Sequence, residues 1–169
     1  MLYIFIEGSD DEKFFSKIYG KVFGNYEFIQ YSGWTSNKIN NFIKSIECMC
    51  GSDYIFFGDA DGKTICDRKE ILANKYSRLD KRRIFIVQYE IESWYYAGID
   101  ITSCRKLKLR QYVHDTNTLT KEQFYAKLPK KAERKYIMIQ LLEKYNLELA
   151  ISRNESLSLF NREIKKEPA

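Results

Sequence analysis

The sequence predicts an α/β fold: a mostly parallel four-stranded sheet flanked by helices, followed by a C-terminal helical extension. Three observations predict it. Over residues 1–99, short apolar runs alternate with segments whose apolar residues recur at helical spacing, in the order β-α-β-α-β-α-β-α. That order implies parallel strands joined by right-handed crossovers. Strand-like runs stop beyond residue 100, and 169 residues suit one domain with a real core. The expected division is an α/β core over 1–99 and a basic helical extension over 100–169 packed on it, a single domain overall.

Each element has its own signal. Leu2–Ile6 is a β-rich apolar run, as in a strand covered on both faces. Ser9 is placed to cap a helix that gathers Phe14, Phe15, Ile18, Val22 and Phe23 on one side. Glu27–Tyr31 is the second strand, Gly33 breaks the chain, and Ser36–Met49 is a helix with Ile39, Phe42, Ile43 and Ile46 on one face. Tyr54–Phe57 is the third strand, ended by Gly58; Cys66–Tyr76 is helical; Arg83–Val87 is the fourth strand; Glu90–Ala97 turns into a helix. In the extension, Lys131–Tyr145 reads as an amphipathic helix through Tyr136, Ile139, Leu141 and Leu142. Ser152-Arg-Asn-Glu155 has capping-box spacing ahead of Leu157, Phe160 and Ile164.

Composition narrows the function classes. A 44% hydrophobic and 30% charged chain is of ordinary globular type, not a disordered one. No apolar stretch approaches the roughly 18 residues of a membrane span, so no membrane partner is expected. The first residues read as a strand rather than a signal peptide. Cys48, Cys50, Cys66 and Cys104 lack zinc-knuckle spacing and read as buried or half-buried thiols of a cytoplasmic protein. His114 is the single histidine, which excludes a His-rich metal site. The net charge of +5 is unevenly spread: residues 1–100 carry 13 Lys+Arg against 15 Asp+Glu, and residues 101–169 carry 15 against 8. The excess is either a set of solvated helix faces or a basic surface for a polyanion.

Open α/β sheets bind ligands at the carboxyl ends of their strands, and the acids cluster there. Glu7 follows the first strand, with Asp10, Asp11 and Glu12 on the next turn; Asp59 and Asp61 follow the third; Glu90 and Glu92 follow the fourth. Carboxylates brought together repel, and a divalent cation with a preference for oxygen relieves that repulsion. On extended chain, Asp59 and Asp61 at i and i+2 would face one ion.

Phe5-Ile6-Glu7-Gly8, with Asp59-Ala60-Asp61 after a later apolar strand, resembles the motif pair of the Toprim superfamily, a Rossmann-like fold. Ile6-Glu7-Gly8-Ser9-Asp10-Asp11-Glu12 resembles in particular the Toprim domains of OLD-type nucleases and their small stand-alone relatives, and Gln88-Tyr89-Glu90-Ile91-Glu92-Ser93-Trp94 resembles their later acidic segment. The resemblance covers roughly residues 2–97 and implies a Mg²⁺- or Mn²⁺-dependent nuclease, or a related phosphodiester-transfer enzyme, acting on DNA or RNA. Two ions would stabilise the attacking and leaving oxygens. Glu7, Asp59 and Asp61 would hold the first; Asp11 or Glu12, with Glu92, the second. Glu7 is also the candidate general acid/base, and Lys63 a candidate for neutralising phosphate charge. No G-x-x-x-x-G-K-[ST] occurs, so an ATPase could act only as a separate partner; a homodimer is equally compatible.

The basic extension would then grip nucleic acid through the run Lys130, Lys131, Arg134 and Lys135 and through Arg153, Arg162, Lys165 and Lys166. Thirteen tyrosines and two tryptophans allow base stacking. The alternative is a non-catalytic Toprim-like nucleic-acid-binding or regulatory subunit. A receiver domain fits less well, because Gln88 stands where a hydroxyl residue belongs. A haloacid-dehalogenase-type phosphatase also fits less well, because Lys63 stands where Thr or Val belongs.

Overall fold

The computed structural model describes residues 1–130 and 132–165. The chain gathers into two compact units, one spanning Met1–Val87 and one beginning at Gln88. The segment after the fourth strand therefore groups with the helices that follow it.

The first unit is the expected parallel sheet. Strands β1 (Leu2–Ile6), β2 (Tyr26–Gln30), β3 (Asp53–Asp59) and β4 (Ile84–Val87) lie in the order β2-β1-β3-β4, all parallel. Helices α1 (Ser9–Phe23), α2 (Ser36–Glu47) and α3 (Ile65–Lys75) make the connections. On one face Phe5, Phe56, Ile84 and Ile86 meet Ile39, Ile43 and Ile46 of α2 and Leu72 of α3. On the other, the ring of Phe15 of α1 packs tilted against that of Phe57 at 4.1 Å between centroids. Tyr19 joins the buried residues of α1, whereas Val22, expected inside, is 45% exposed.

Two local expectations change. The N-cap of α1 is Gly8, not Ser9: Gly8 is extended (φ −155°), and its N–H donates to the Asp11 carboxylate at 2.8 Å. Nor does Gly58 end β3, which runs on to Asp59 opposite Val87. Gly58 instead serves close packing, since a Cβ there would stand 2.9 Å from Leu72 Cδ1 and 3.7 Å from the Tyr31 hydroxyl oxygen.

The strand order sets the place of the site. From β1 the chain crosses to β2 on one side, then returns to β3 on the other. The carboxyl ends of β1 and β3 therefore flank a topological switch point, where an open α/β sheet leaves a crevice for a ligand.

The second unit consists of short helices: α4 (Ile91–Ala97), α5 (Ile101–Lys106), α6 (Lys121–Lys127), α7 (Arg134–Glu143), α8 (Leu147–Arg153) and α9 (Glu155–Ile164). Its core includes Trp94, which stacks on Phe160 at 5.8 Å. The apolar face of α7 is Ile137, Met138, Leu141 and Leu142, while Tyr136 and Ile139, expected inside, are exposed. Ser152 caps nothing: it lies within α8 and donates to the Leu149 carbonyl. The cap of α9 is Asn154, whose Oδ1 accepts from Leu157 N–H at 3.1 Å. Of the four cysteines, Cys104 is buried and Cys48, Cys50 and Cys66 are exposed, which corrects the expectation of buried or half-buried thiols. Among the described residues no helix is long and apolar enough to cross a membrane.

Candidate functional site

Glu7 is the first residue beyond β1, and Asp59 is the last of β3. Because β1 and β3 are hydrogen-bonded neighbours in parallel register, with Phe5 opposite Phe56, Glu7 leaves β1 level with Gly58, one residue before Asp59, at the switch point. The contact is direct: the Asp59 amide N–H donates to Glu7 Oε1 at 3.4 Å. The Tyr31 hydroxyl lies 2.9 Å from the same Oε1 and 2.9 Å from the Phe57 carbonyl, so its single proton is shared between them. Tyr31 itself is buried, its ring 4.4 Å from that of Phe56. Burial first, and then the Glu7 charge, push the Tyr31 hydroxyl well above its ordinary range. It therefore stays protonated and remains a fixed donor.

Asp61 does not join this pair through its place on an extended chain. After Asp59 the chain enters a tight turn: Lys63 N–H donates to the Ala60 carbonyl at 2.9 Å, and Asp61 and Gly62 both have positive φ (49° and 72°). Two central residues at positive φ with this bond make a type I′ turn, for which Asp-Gly is a favoured pair. The alternation argument for i and i+2 ends where the strand ends. Asp61 Oδ2 instead pairs with Arg68 Nη2 at 2.5 Å. Arg68 Nε also donates to the Asp59 carbonyl at 2.8 Å, so one α3 side chain ties both ends of the D-x-D segment.

Other candidates have local partners. Asp11 serves the Gly8 cap, Glu12 accepts from Gln30 Nε2 at 2.8 Å, and Lys63 is exposed. Glu92, at 2% exposure, lies in the second unit. There Oε1 accepts from the Tyr125 hydroxyl at 2.5 Å and faces Arg134 at 3.5 Å and Lys121 at 3.7 Å. Among the described residues no group of three His, Cys, Asp or Glu side chains comes together as a metal site. A hard divalent cation would therefore take fewer than three protein ligands here. Mg²⁺ is usually held by one or two carboxylates, with water and substrate phosphate completing its shell. Glu7 and Asp59 stand on adjacent strand ends, and the contact between them runs from the Asp59 main-chain N–H to the Glu7 carboxylate.

The proposed basic grip is also sorted. Lys130, Arg134, Lys135, Arg162 and Lys165 are exposed. Lys131 and Lys166 lie outside the described residues. Arg153 is a correction: it is 6% exposed, Nη1 donates to the carbonyls of Ala97 and Ile99 at 2.8 Å each, and Nε donates to that of His114 at 2.7 Å. With Nε and Nη1 on three backbone carbonyls and Nη2 buried without a hydrogen-bond partner among the described residues, this guanidinium clamps its own unit and is not part of an exposed basic surface.

Sequence reasoning missed Tyr31, Arg68 and Gly58. Tyr31 becomes visible once Ile6 is set opposite Gln30, which places the next residue of that segment beside Glu7. No family model matches the chain, and neither curated proteins nor solved structures give a match.

Proposed function

We propose that this chain is a Mg²⁺- or Mn²⁺-dependent enzyme of the Toprim kind that cleaves or transfers phosphodiesters in DNA or RNA. The observation that supports it best is the contact of Glu7 with Asp59 across adjacent strand ends at the switch point. Both hydrogen bonds to Glu7 fall on Oε1, leaving Oε2 as the oxygen offered to a cation. A bound divalent ion would supply Lewis-acid stabilisation of charge developing on the phosphoryl oxygens. Tyr31 and the Asp59 amide hold the Glu7 carboxylate in one orientation. Arg68 holds the D-x-D turn through the Asp59 carbonyl and the Asp61 carboxylate. Lys130, Arg134, Lys135 and Arg162 would give salt-sensitive affinity for the polyanion.

The ion pair of Asp61 with Arg68 favours a second reading, a subunit that binds nucleic acid without turning it over, because it removes one acid from the rim. One assay separates the two. Cleavage of labelled single- and double-stranded DNA and RNA is followed in Mg²⁺, Mn²⁺ and EDTA. The enzyme reading expects metal-dependent products, and a loss of about 10²-fold or more in both Glu7→Gln and Asp59→Asn. Binding without metal-dependent cleavage would leave the second reading standing.

A further inference from the structure

The second unit contains a cavity of about 380 Å³, within the roughly 300–1,000 Å³ of small-ligand sites. Arg110, Lys130 and Arg134 line it, with Tyr125, Leu128 and Pro129 among the other walls, and no acidic residue lines it. Glu133, the N-cap of α7, is exposed and is not part of the lining.

The charges at this cavity favour a negatively charged ligand. Lys121 pairs with Glu90 at 3.4 Å and faces Glu92 at 3.7 Å, and Arg134 faces Glu92 at 3.5 Å. Lys121 and Arg134 thus both face the Glu92 carboxylate, and Arg134 also lines the cavity. Among the described residues no carboxylate pairs with Arg110 or Lys130, so about two positive charges are left for the cavity. A phosphodiester carries one negative charge, whereas a phosphomonoester carries about −1.5 to −2 at pH 7.

The cationic wall is also pre-organised. The Arg134 guanidinium lies over the Tyr125 ring at 4.3 Å, while the Tyr125 hydroxyl is fixed on Glu92. Arg134 therefore loses little freedom on binding. It is also the first residue of the ten-residue α7, whose N-cap makes no side-chain hydrogen bond, so the positive end of that helix adds to the wall. Leu128 and Pro129 supply an apolar surface for a sugar or base.

We propose that this cavity binds a phosphomonoester dianion of a nucleotide, carried either by a free nucleotide or by the end of a nucleic-acid strand. The inference deepens the polyanion grip proposed above, with which it shares Lys130 and Arg134, and its test in EDTA is independent of the metal chemistry proposed for the first unit.

The test is calorimetric titration of the full chain in EDTA, where neither cleavage nor a metal bridge contributes. The expected result is one AMP bound per chain, with adenosine at least about tenfold weaker, as for loss of a charge-assisted contact. Arg110→Gln and Lys130→Gln, both at exposed positions, should each weaken AMP about tenfold, while Lys21→Gln on α1 should leave it unchanged. A 5′-phosphorylated oligonucleotide binding tighter than its 5′-hydroxyl twin assigns the ligand to a strand end; equal binding of the two, with AMP still preferred over adenosine, assigns it to a free nucleotide. Equal affinity for AMP and adenosine, no AMP binding, or an equal loss in Lys21→Gln would overturn the proposal.

Discussion

Glu7 depends on a residue that carries no signal of its own. Acids at the ends of apolar strands stand out in a sequence, so the placement of Glu7 and Asp59 at the ends of β1 and β3 was legible. Tyr31 was not, because an aromatic residue at a strand end is ordinarily core, and its role follows only from the β1–β2 register. Its buried hydroxyl orients the Glu7 carboxylate. Tyr31→Phe keeps the ring against Phe56 and removes only that donor. A hydrogen bond to a charged group contributes about 1.5–3 kcal/mol. Metal-dependent turnover should therefore fall about tenfold or more, with a stability loss of about 1.5–3 kcal/mol. Steady-state cleavage rates paired with urea unfolding check both numbers.

Among the elements, the connections were harder to read than the strands. The turn after β3 was misjudged because the extended alternation was carried past Asp59, although Asp61-Gly62 is itself a turn signal. The face of α7 was misjudged because six of the seven residues from Tyr136 to Leu142 are apolar, so periodicity cannot choose among them. The 3-10 turn at Lys81–Arg83, which leads into β4, yields a pH prediction. Its cap, Asp80, accepts from the Arg82 side chain and then from the Arg82 amide, and these hold its carboxyl down to about 2. The unfolded carboxyl titrates at about 3.9. The folded state thus gains stability that is present above that value and is lost as the pH falls through about 2. Asp80→Asn should remove this part of the acid dependence. Urea midpoints of the wild type and variant between pH 5 and 2 should converge towards the acid end, and parallel curves would contradict the assignment.

At the scale of the whole molecule, the sheet was legible because each strand is an apolar run bounded by a break. Most of the second unit was not: α5, α6 and α8 have six or seven residues each, under two turns, too few for a periodic pattern to emerge. The charge division also changes with the observed boundary. Met1–Val87 carries 13 Lys+Arg against 12 Asp+Glu, and the rest of the chain 15 against 11, so the basic excess stays in the second unit but the first is no longer acidic overall. What distinguishes the first unit is where its acids stand. The strand order brings Glu7 and Asp59 together at the switch point, and the central claim is that this pair receives a divalent cation. Titration of the full chain with Mn²⁺, followed by electron paramagnetic resonance, tests it most directly. One Mn²⁺ bound per chain is expected, lost in Glu7→Gln and in Asp59→Asn and retained in Asp80→Asn. Absence of bound Mn²⁺ in the wild type, or equal binding in all four proteins, would contradict it.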